Sequence, residues 1–415
     1  MRVGDPDRIR NPYPHVQTMR IPIMADIDFP ALRRERLHRL QEMMKKRDIP
    51  IALFYNPANI RYATGVDVMG VWTASTFARC CIVSAEREPI LFEYANSMHV
   101  AQKYVADVRP HESYQFMGHQ GQDLARGWAQ GVKDVMRELG CAGEPLAVDK
   151  LDGNGFRALT DIGIRITDPT PATVDAREVK TPQEVKLMLL NGTIGDAVMA
   201  DFKAALRPGL YEYELMATLN ESLYRHHGEF MFTRLIASGT NTNPWMSEAH
   251  DKRVQPGDLV GIDTDMNGFQ GYVVDFSRTF LCGGRATEGQ KEAYRIAYDC
   301  VNGMRELMKP GMSFEEFSLA APSLPPEYRN LRYGSMAHQA GLEDEGPGIP
   351  YLYEDDKPGE KALPDRILQE NMVWCLECYA GKEGAPYGVK LEDQVLLTAD
   401  GALPLMTYPF EAELL

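Results

Sequence analysis

Asp263, Asp265 and Asp275 stand close together in GDLVGIDTDMNGFQGYVVDFSRTFL, residues 257–281, a stretch otherwise dominated by apolar and small residues. It reads as two short β-branched runs joined by a glycine-containing turn, the pattern of an antiparallel hairpin. Asp263 and Asp265 lie two apart, so on one strand their carboxylates project from the same face, and Asp275 reaches them from the second strand. Carboxylates converging inside an apolar hairpin repel one another and are costly to desolvate unless a cation neutralises them. The chemistry predicted from this stretch is half of a metal site.

The other half lies in a repeat of the chain. Arg207-Pro208-Gly209-Leu210 has a counterpart in Lys309-Pro310-Gly311-Met312, and in both places one helix is stopped and another started within a few residues. GDLVGID at 257–263 is echoed by NMVWCLE at 371–377, and Val273-Val274-Asp275 by Lys390-Leu391-Glu392. The chain after about residue 177 therefore reads as two related α/β halves, each offering an acidic hairpin. A pseudo-twofold arrangement brings Asp263, Asp275, Glu377 and Glu392 together, with His338 between the two hairpins in sequence. Oxygen ligands with one imidazole suit a divalent transition ion such as Fe, Mn, Co or Zn, and this many carboxylates suit two ions rather than one.

The elements that must position these groups follow from patterning. Residues 1–28, rich in Pro, Arg and Asp, read as an extended arm. ALRRERLHRLQEMMKK within 30–47 is an amphipathic helix with a basic outer face. Strands are predicted at 49–55, 77–83, 89–92 and 145–148, and helices after Asn56 and over 121–139, so residues 29–176 form a small α/β domain. The proline-rich run ITDPTPATVDAREVKTPQEV marks a boundary of turns near 165–182. A long helix then runs from Pro182 to about Leu206, with Thr181 as N-cap and Glu184 three positions on. Residues 177–415 are the metal-binding domain, and the whole is an α/β (α+β) chain.

Bulk properties narrow the partners. At 415 residues, with 44% hydrophobic and 25% charged residues, the chain is an ordinary globular protein with room for two or three cores. Its formal charge of −15 argues against nucleic acid or an anionic membrane surface as partner. No run approaches the roughly 20 apolar residues of a membrane span, and the N-terminus lacks an apolar signal core, so a cytoplasmic location is expected. Seven scattered cysteines suit reduced thiols. Cys375 and Cys378 form a C-x-x-C, but on a strand they point to opposite faces and neither a dithiol nor a shared metal is expected.

These residues resemble a known superfamily. From about 177 onward the chain resembles the pita-bread fold of the creatinase, prolidase and methionine aminopeptidase superfamily, and residues 30–170 resemble its creatinase-type N-terminal domain. The resemblance implies that Asp263, Asp275, His338, Glu377 and Glu392 are the five metal ligands. Two further histidines of the peptidases are replaced, one in ASGTNTNPW, where Trp245 stands, and one in HQAGLEDEGP, where Asp344 stands. TRLIASGTNTNPW, IDTD, VDFSRTF, YGSMAH, GLEDEGP and KLEDQVLLT resemble the DddP-type dimethylsulfoniopropionate lyases more closely. That branch implies Asp265 as a sixth ligand, an iron-type dinuclear site, Tyr333 in the site and Asp344 as general base. The chain departs from the lyases at Gln339 and Gly346 and in the length of 348–370, changes that border the pocket.

The function this implies is metal-dependent β-elimination from a small zwitterionic sulfonium acid, giving dimethyl sulfide and acrylate, by a cytoplasmic homodimer. Trp245, Tyr333 and Trp72 form aromatic walls for the sulfonium in this reading, each well-placed face contributing about 0.5–2 kcal/mol. The alternatives are an Xaa-Pro peptidase or small amidohydrolase, with His226, His227 or His250 supplying an imidazole, and a non-catalytic binding protein that has kept the fold.

Overall fold

Helix α1, Phe29–Lys46, begins where Asp28 accepts the Ala31 N–H at 2.9 Å and Pro30 fits the first turn, and it ends on Lys45 and Lys46. The computed structural model that contains it describes residues 26–67, 69–70, 78–115, 117–353 and 365–415. Trp72 and most of the predicted N-terminal arm lie outside the described residues. The buried face of α1 is Leu32, Arg36, Leu40 and Met44. Arg36 departs from the predicted all-basic outer face: its guanidinium lies 5.8 Å from the centroid of the Tyr62 ring, where an aromatic face compensates part of its desolvation.

The chain divides into two units, Asp28–Thr181 and Pro182–Leu415. In the first, β1 (Ile51–Phe54), β2 (Cys80–Ser84), β3 (Ile90–Glu93), β4 (Asp107–Pro110), β5 (Leu146–Val148) and β6 (Ile166–Thr167) form one mixed sheet in the order β4-β3-β2-β1-β5-β6. Helix α2, Pro57–Thr64, is capped by Asn56 and closed by Gly65 at φ 75°. Helix α3, Gly121–Glu138, lays Ala125, Trp128, Ala129, Val132 and Val135 against Ile51, Leu53, Ile82 and Ile90 of the sheet. After α4 (Gly153–Asp161) comes a difference from the sequence expectation: Thr170–Glu178 is a helix, α5, where prolines suggested turns. Pro171 lies in its first turn, where the missing N–H has no partner to lose.

The second unit carries the repeat. Its first half runs through α6 (Pro182–Ala205), α7 (Glu212–Arg225), β7 (Phe230–Met231), β8 (Ile236–Ser238), β9 (Asp258–Asp263), β10 (Met266–Asn267), β11 (Val273–Val274) and β12 (Ser277–Cys282). Its second half runs through α8 (Glu288–Leu307), α9 (Phe314–Ala320), β13 (Ser335–Ala340), β14 (Asp344–Pro350), β15 (Val373–Gly381), β16 (Gly388–Thr398) and β17 (Gly401–Pro404). The turns between helices match in detail. Gly209 and Gly311 adopt φ 93° and 91°, and their N–H groups donate to Val254 O and Leu368 O, both at 2.8 Å. Glu214 accepts the Tyr211 N–H and Glu316 the Ser313 N–H, at 2.8 and 2.7 Å. A backbone that needs positive φ after proline explains why Pro-Gly stands in both halves.

The strands form the sheets β12-β9-β8, β11-β10-β7 and β14-β13-β15-β16-β17, all antiparallel. Strand β12 lies against β16. Arg278 fastens the two: its guanidinium donates to Glu392 O at 2.7 Å and to Asp393 Oδ1 at 2.8 Å, with 2% of the residue exposed.

Candidate metal centre

Register builds the site. Directly opposite residues on antiparallel strands share a face, and β15 and β16 pair Cys375 with Gln394, Glu377 with Glu392, and Tyr379 with Lys390. On the other side of β15, His338 of β13 is opposite Cys375. His338, Cys375, Glu377, Lys390 and Glu392 therefore project from one face. The hairpin of the first half meets that face with Asp263 at the end of β9, opposite Ser277 of β12.

The first hairpin differs from the sequence expectation in its geometry. Strand β9 stops at Asp263, and Asp265 is off the strand at φ 31°, so the two are not an i, i+2 pair on one face. The break is held by Thr264, whose hydroxyl donates to Val274 O and accepts the Phe276 N–H, each at 3.0 Å. Asp275 precedes β12 rather than lying on it, and Ser277 rather than Asp275 is the register partner of Asp263. Even so the carboxylates converge. Asp265, Asp275 and Asp344 each offer an oxygen within 4.8 Å of the others, and so do donor atoms of Asp275, His338, Cys375 and Glu392. Asp275 is common to both groups.

His338 Nε2 lies 3.4 Å from Asp275 Oδ2, 3.5 Å from Glu392 Oε1 and 3.9 Å from Glu377 Oε1. On the far side, Lys390 Nζ is 3.0 Å from Asp263 Oδ2, 2.9 Å from Glu377 Oε2 and 3.0 Å from Glu392 Oε2. Ser277 Oγ bridges Asp263 Oδ1 at 2.7 Å and Glu392 Oε2 at 2.9 Å. The outer oxygens are thus satisfied, whereas Asp275 Oδ1, Glu377 Oε1 and Glu392 Oε1 are buried with no hydrogen-bond partner. Unpartnered anionic oxygens beside an imidazole are what a divalent cation requires. The residues fit a metal ion.

Electrostatics agree. Burial first, then Glu392 and Asp265, hold the Asp275 carboxyl well above its usual range. Burial, with Asp263 and Asp344, raises Asp265 to about 8, while Thr233 opposes this by donating to Asp265 Oδ2 at 2.7 Å. Burial lifts Glu377 to about 7 against the pull of Lys390. Glu392 is the exception: burial pushes it up, but Lys390 and His338 outweigh this and hold it below its usual range. Burial alone would lower His338, yet Asp275 and Glu392 raise it well above the ordinary imidazole. Acids forced toward neutrality by one another would be returned to their charged form by a bound cation.

Asp344 begins β14 and is exposed, at the accessible side of the group. The residue is open to solvent, but a carboxyl oxygen lies within 4.8 Å of those of the buried Asp265 and Asp275, and the carboxyl is raised, first by desolvation on that inner side and then by Glu392 and Asp263, with His338 opposing. Tyr333 presents its ring to Lys390 Nζ at 4.5 Å and donates its hydroxyl to Met246 Sδ at 3.3 Å. A cation of the protein thus already lies on its face. Trp245, 8% exposed, packs with Leu235, Ala237 and Tyr379, and Tyr333 lies against that cluster. His226 faces Asp201 at 3.8 Å, and among the described residues His338 is the one histidine in either converging group. Lys390, Ser277, Thr233 and Cys375 were not singled out as site residues from the sequence. For Lys390 the signal was present, since it lies two before Glu392 on a strand and must share its face.

Comparison with known proteins follows the same division. Residues 186–399 match the model of metallopeptidase family M24, and residues 36–158 that of the creatinase/prolidase N-terminal domain. The chain is 30% identical to the dimethylsulfoniopropionate lyase DddP of Roseovarius nubinhibens, over 94% of this chain and 88% of that protein. It is 34% identical to the Xaa-Pro dipeptidase of Pyrococcus furiosus, over 55% of this chain and 63% of that one. Among solved structures, the prolidase of Thermococcus sibiricus superposes with a TM-score of 0.74 at 21% identity, covering 91% of this chain and 98% of that one, a likeness of fold.

Proposed function

The chain belongs to metallopeptidase family M24, with a creatinase/prolidase N-terminal domain before its pita-bread domain, and from that premise we propose that it is a metal-dependent carbon–sulfur lyase of the dimethylsulfoniopropionate type. The proposed ligands are Asp263, Asp265, Asp275, His338, Glu377 and Glu392, holding two divalent ions. Iron is the proposed metal, with Mn, Zn and Co accepted by the same oxygen-rich set. When bound, the ions supply Lewis-acid stabilisation of the charge that develops on a substrate carboxylate.

The observation that carries the reading is the position of Asp344. Asp263, Asp265, Asp275, Glu377 and Glu392 are all buried, while Asp344 is exposed and borders them, so it is the acid of the group that a substrate can reach. A carboxylate raised toward neutrality is also a stronger base. In the proposed step Asp344 takes the proton from the carbon next to the substrate carboxylate. The electron pair of that C–H bond forms the C=C bond, the C–S bond breaks with its pair going to sulfur, and dimethyl sulfide and acrylate result. Tyr333 and Trp245 border the substrate in this reading. Because Lys390 already lies on one face of Tyr333, the sulfonium is held by the remaining aromatic surface. We further propose a cytoplasmic homodimer. No helix among the described residues is long and apolar enough to cross a membrane.

A second reading, an Xaa-Pro metallopeptidase, is favoured by the likeness to an Xaa-Pro dipeptidase over 55% of this chain. One experiment separates the two: metal analysis of the purified protein with headspace detection of dimethyl sulfide from dimethylsulfoniopropionate. Metal-loaded protein that releases no volatile product but cleaves an Xaa-Pro dipeptide overturns the lyase reading. Asp344→Asn is expected to abolish elimination with metal content unchanged; loss of metal would make Asp344 a ligand instead of the base.

A further inference from the structure

Cys375 belongs to the converging group, and the step just described makes no use of it. Its Sγ and donor atoms of Asp275, His338 and Glu392 lie within 4.8 Å of one another. The register accounts for this: Cys375 is opposite His338 on one side and Gln394 on the other, and two residues before Glu377, so it shares the face of the ligands. The second cysteine of the C-x-x-C does not. Cys378 projects from the other face toward the Cys300 thiol, which itself lies 3.7 Å from the Tyr351 hydroxyl.

The Cys375 thiol donates to Asp275 O at 3.8 Å and accepts from Gln394 Nε2 at 3.7 Å, and a metal ion would replace the first of these weak contacts. In the same group, Asp275 Oδ1 and Glu392 Oε1 are buried with no hydrogen-bond partner. One imidazole nitrogen, one sulfur and two carboxylate oxygens are a four-donor set of the kind a tetrahedral divalent ion takes. Soft thiolate sulfur moves the preference of such a set away from hard ions and toward thiophilic ones.

We propose that Cys375 is a ligand of the His338 metal position, and that its thiolate biases this position toward thiophilic divalent ions over manganese. On binding, a metal–sulfur bond forms as the S–H bond breaks, and the proton passes to solvent. The inference rests on the metal-centre part of the proposed function and is independent of which bond in a substrate is cleaved.

The test is to load the full, metal-stripped chain with cobalt(II) and record its near-ultraviolet spectrum. A sulfur-to-cobalt charge-transfer band is expected, retained in Cys378→Ser and lost in Cys375→Ser. The ratio of zinc to manganese affinity is expected to fall about tenfold or more in Cys375→Ser. Cobalt taken up without such a band, or a band that survives in Cys375→Ser, overturns the proposal. Should Cys375→Ser fail to fold, X-ray absorption at the cobalt edge of the unaltered protein decides: sulfur bonded to cobalt supports the assignment, and a shell of nitrogen and oxygen alone overturns it. A chain that takes up no cobalt overturns it together with the metal centre, whereas a sulfur-bonded cobalt in a chain that makes no dimethyl sulfide overturns only the lyase reading.

Discussion

Glu392 and Asp393 are adjacent on β16, are both buried, and point to opposite faces of the same sheet. Asp393 has each oxygen met by an arginine, Oδ1 by Arg278 at 2.8 Å and Oδ2 by Arg305 at 2.9 Å. Glu392 has Oε2 held by Lys390 and Ser277, while Oε1 is buried with no hydrogen-bond partner and faces His338 Nε2 at 3.5 Å. The same chemistry one residue apart is therefore closed on one side of the sheet and open on the other. A buried acid with complete partners fastens strands together; one with an unpartnered oxygen is arranged for something the protein does not itself supply.

That contrast breaks most visibly at Asp393. Replacing it by Ala leaves Arg278 and Arg305 facing a buried gap, and about 3–5 kcal/mol of stability should disappear in urea unfolding; a change under about 1 kcal/mol would mean that the closed cluster fastens nothing. Lys390→Met removes the ammonium shared by Asp263, Glu377 and Glu392, and should cost about 1–3 kcal/mol in chelator. Added divalent metal should then stabilise this variant more than the unaltered chain, because metal and ammonium are counter-ions of the same acids; equal metal-induced shifts in melting temperature would contradict this.

The third effect is pH. With Asp265 raised to about 8 and Glu377 to about 7, the folded metal-free chain keeps protons that the unfolded chain releases above roughly pH 4. Stability present at pH 5 is therefore lost as pH rises toward 8, by about 1 kcal/mol or more in denaturant titrations with chelator. Saturating metal should flatten the profile, and a metal-free chain equally stable at pH 5 and 8 would argue that these acids are not held in one another's field. The smallest expected change in stability is that of Glu392→Gln, within about 1 kcal/mol, since Gln keeps an acceptor toward Lys390 and Ser277. Its metal content should nevertheless fall well below that of the unaltered chain by elemental analysis, which is the sharpest form of the contrast with Asp393.

What could be read without coordinates was what the chain repeats. Gly209 and Gly311, and the acidic strands that carry Asp263 and Glu377, recur in both halves, so the fold of the second unit and the convergence of its acids followed from pattern. What escaped depends on one local feature each. The φ of 31° at Asp265 is invisible in a sequence that reads as continuous strand, so its carboxylate reaches the cluster from a turn and not from the strand face that the i, i+2 spacing implies. Prolines in 169–171 suggested turns, but Pro171 is compatible with the first turn of α5. Arg36 reads as a surface base because charge is normally exposed, and its placement beside the Tyr62 ring is not visible in the sequence. Lys390 was legible from spacing, yet a lysine among ligands runs against the expectation that acids gather round a metal alone.

The matched Pro-Gly turns have a consequence for how the centre is owned. Each half closes its own helix turn onto its own later loop, Gly209 to Val254 and Gly311 to Leu368, without reference to the other. The site residues are not self-contained in that way: Asp263, Asp265 and Asp275 come from one half, and His338, Asp344, Glu377 and Glu392 from the other. Neither half contains all of the proposed ligands, so in the proposed centre the capacity to hold metal belongs to the seam. Metal uptake is accordingly a measure of correct assembly between two pieces that can each be locally well formed, and two separately produced fragments could be scored for re-association by that property alone.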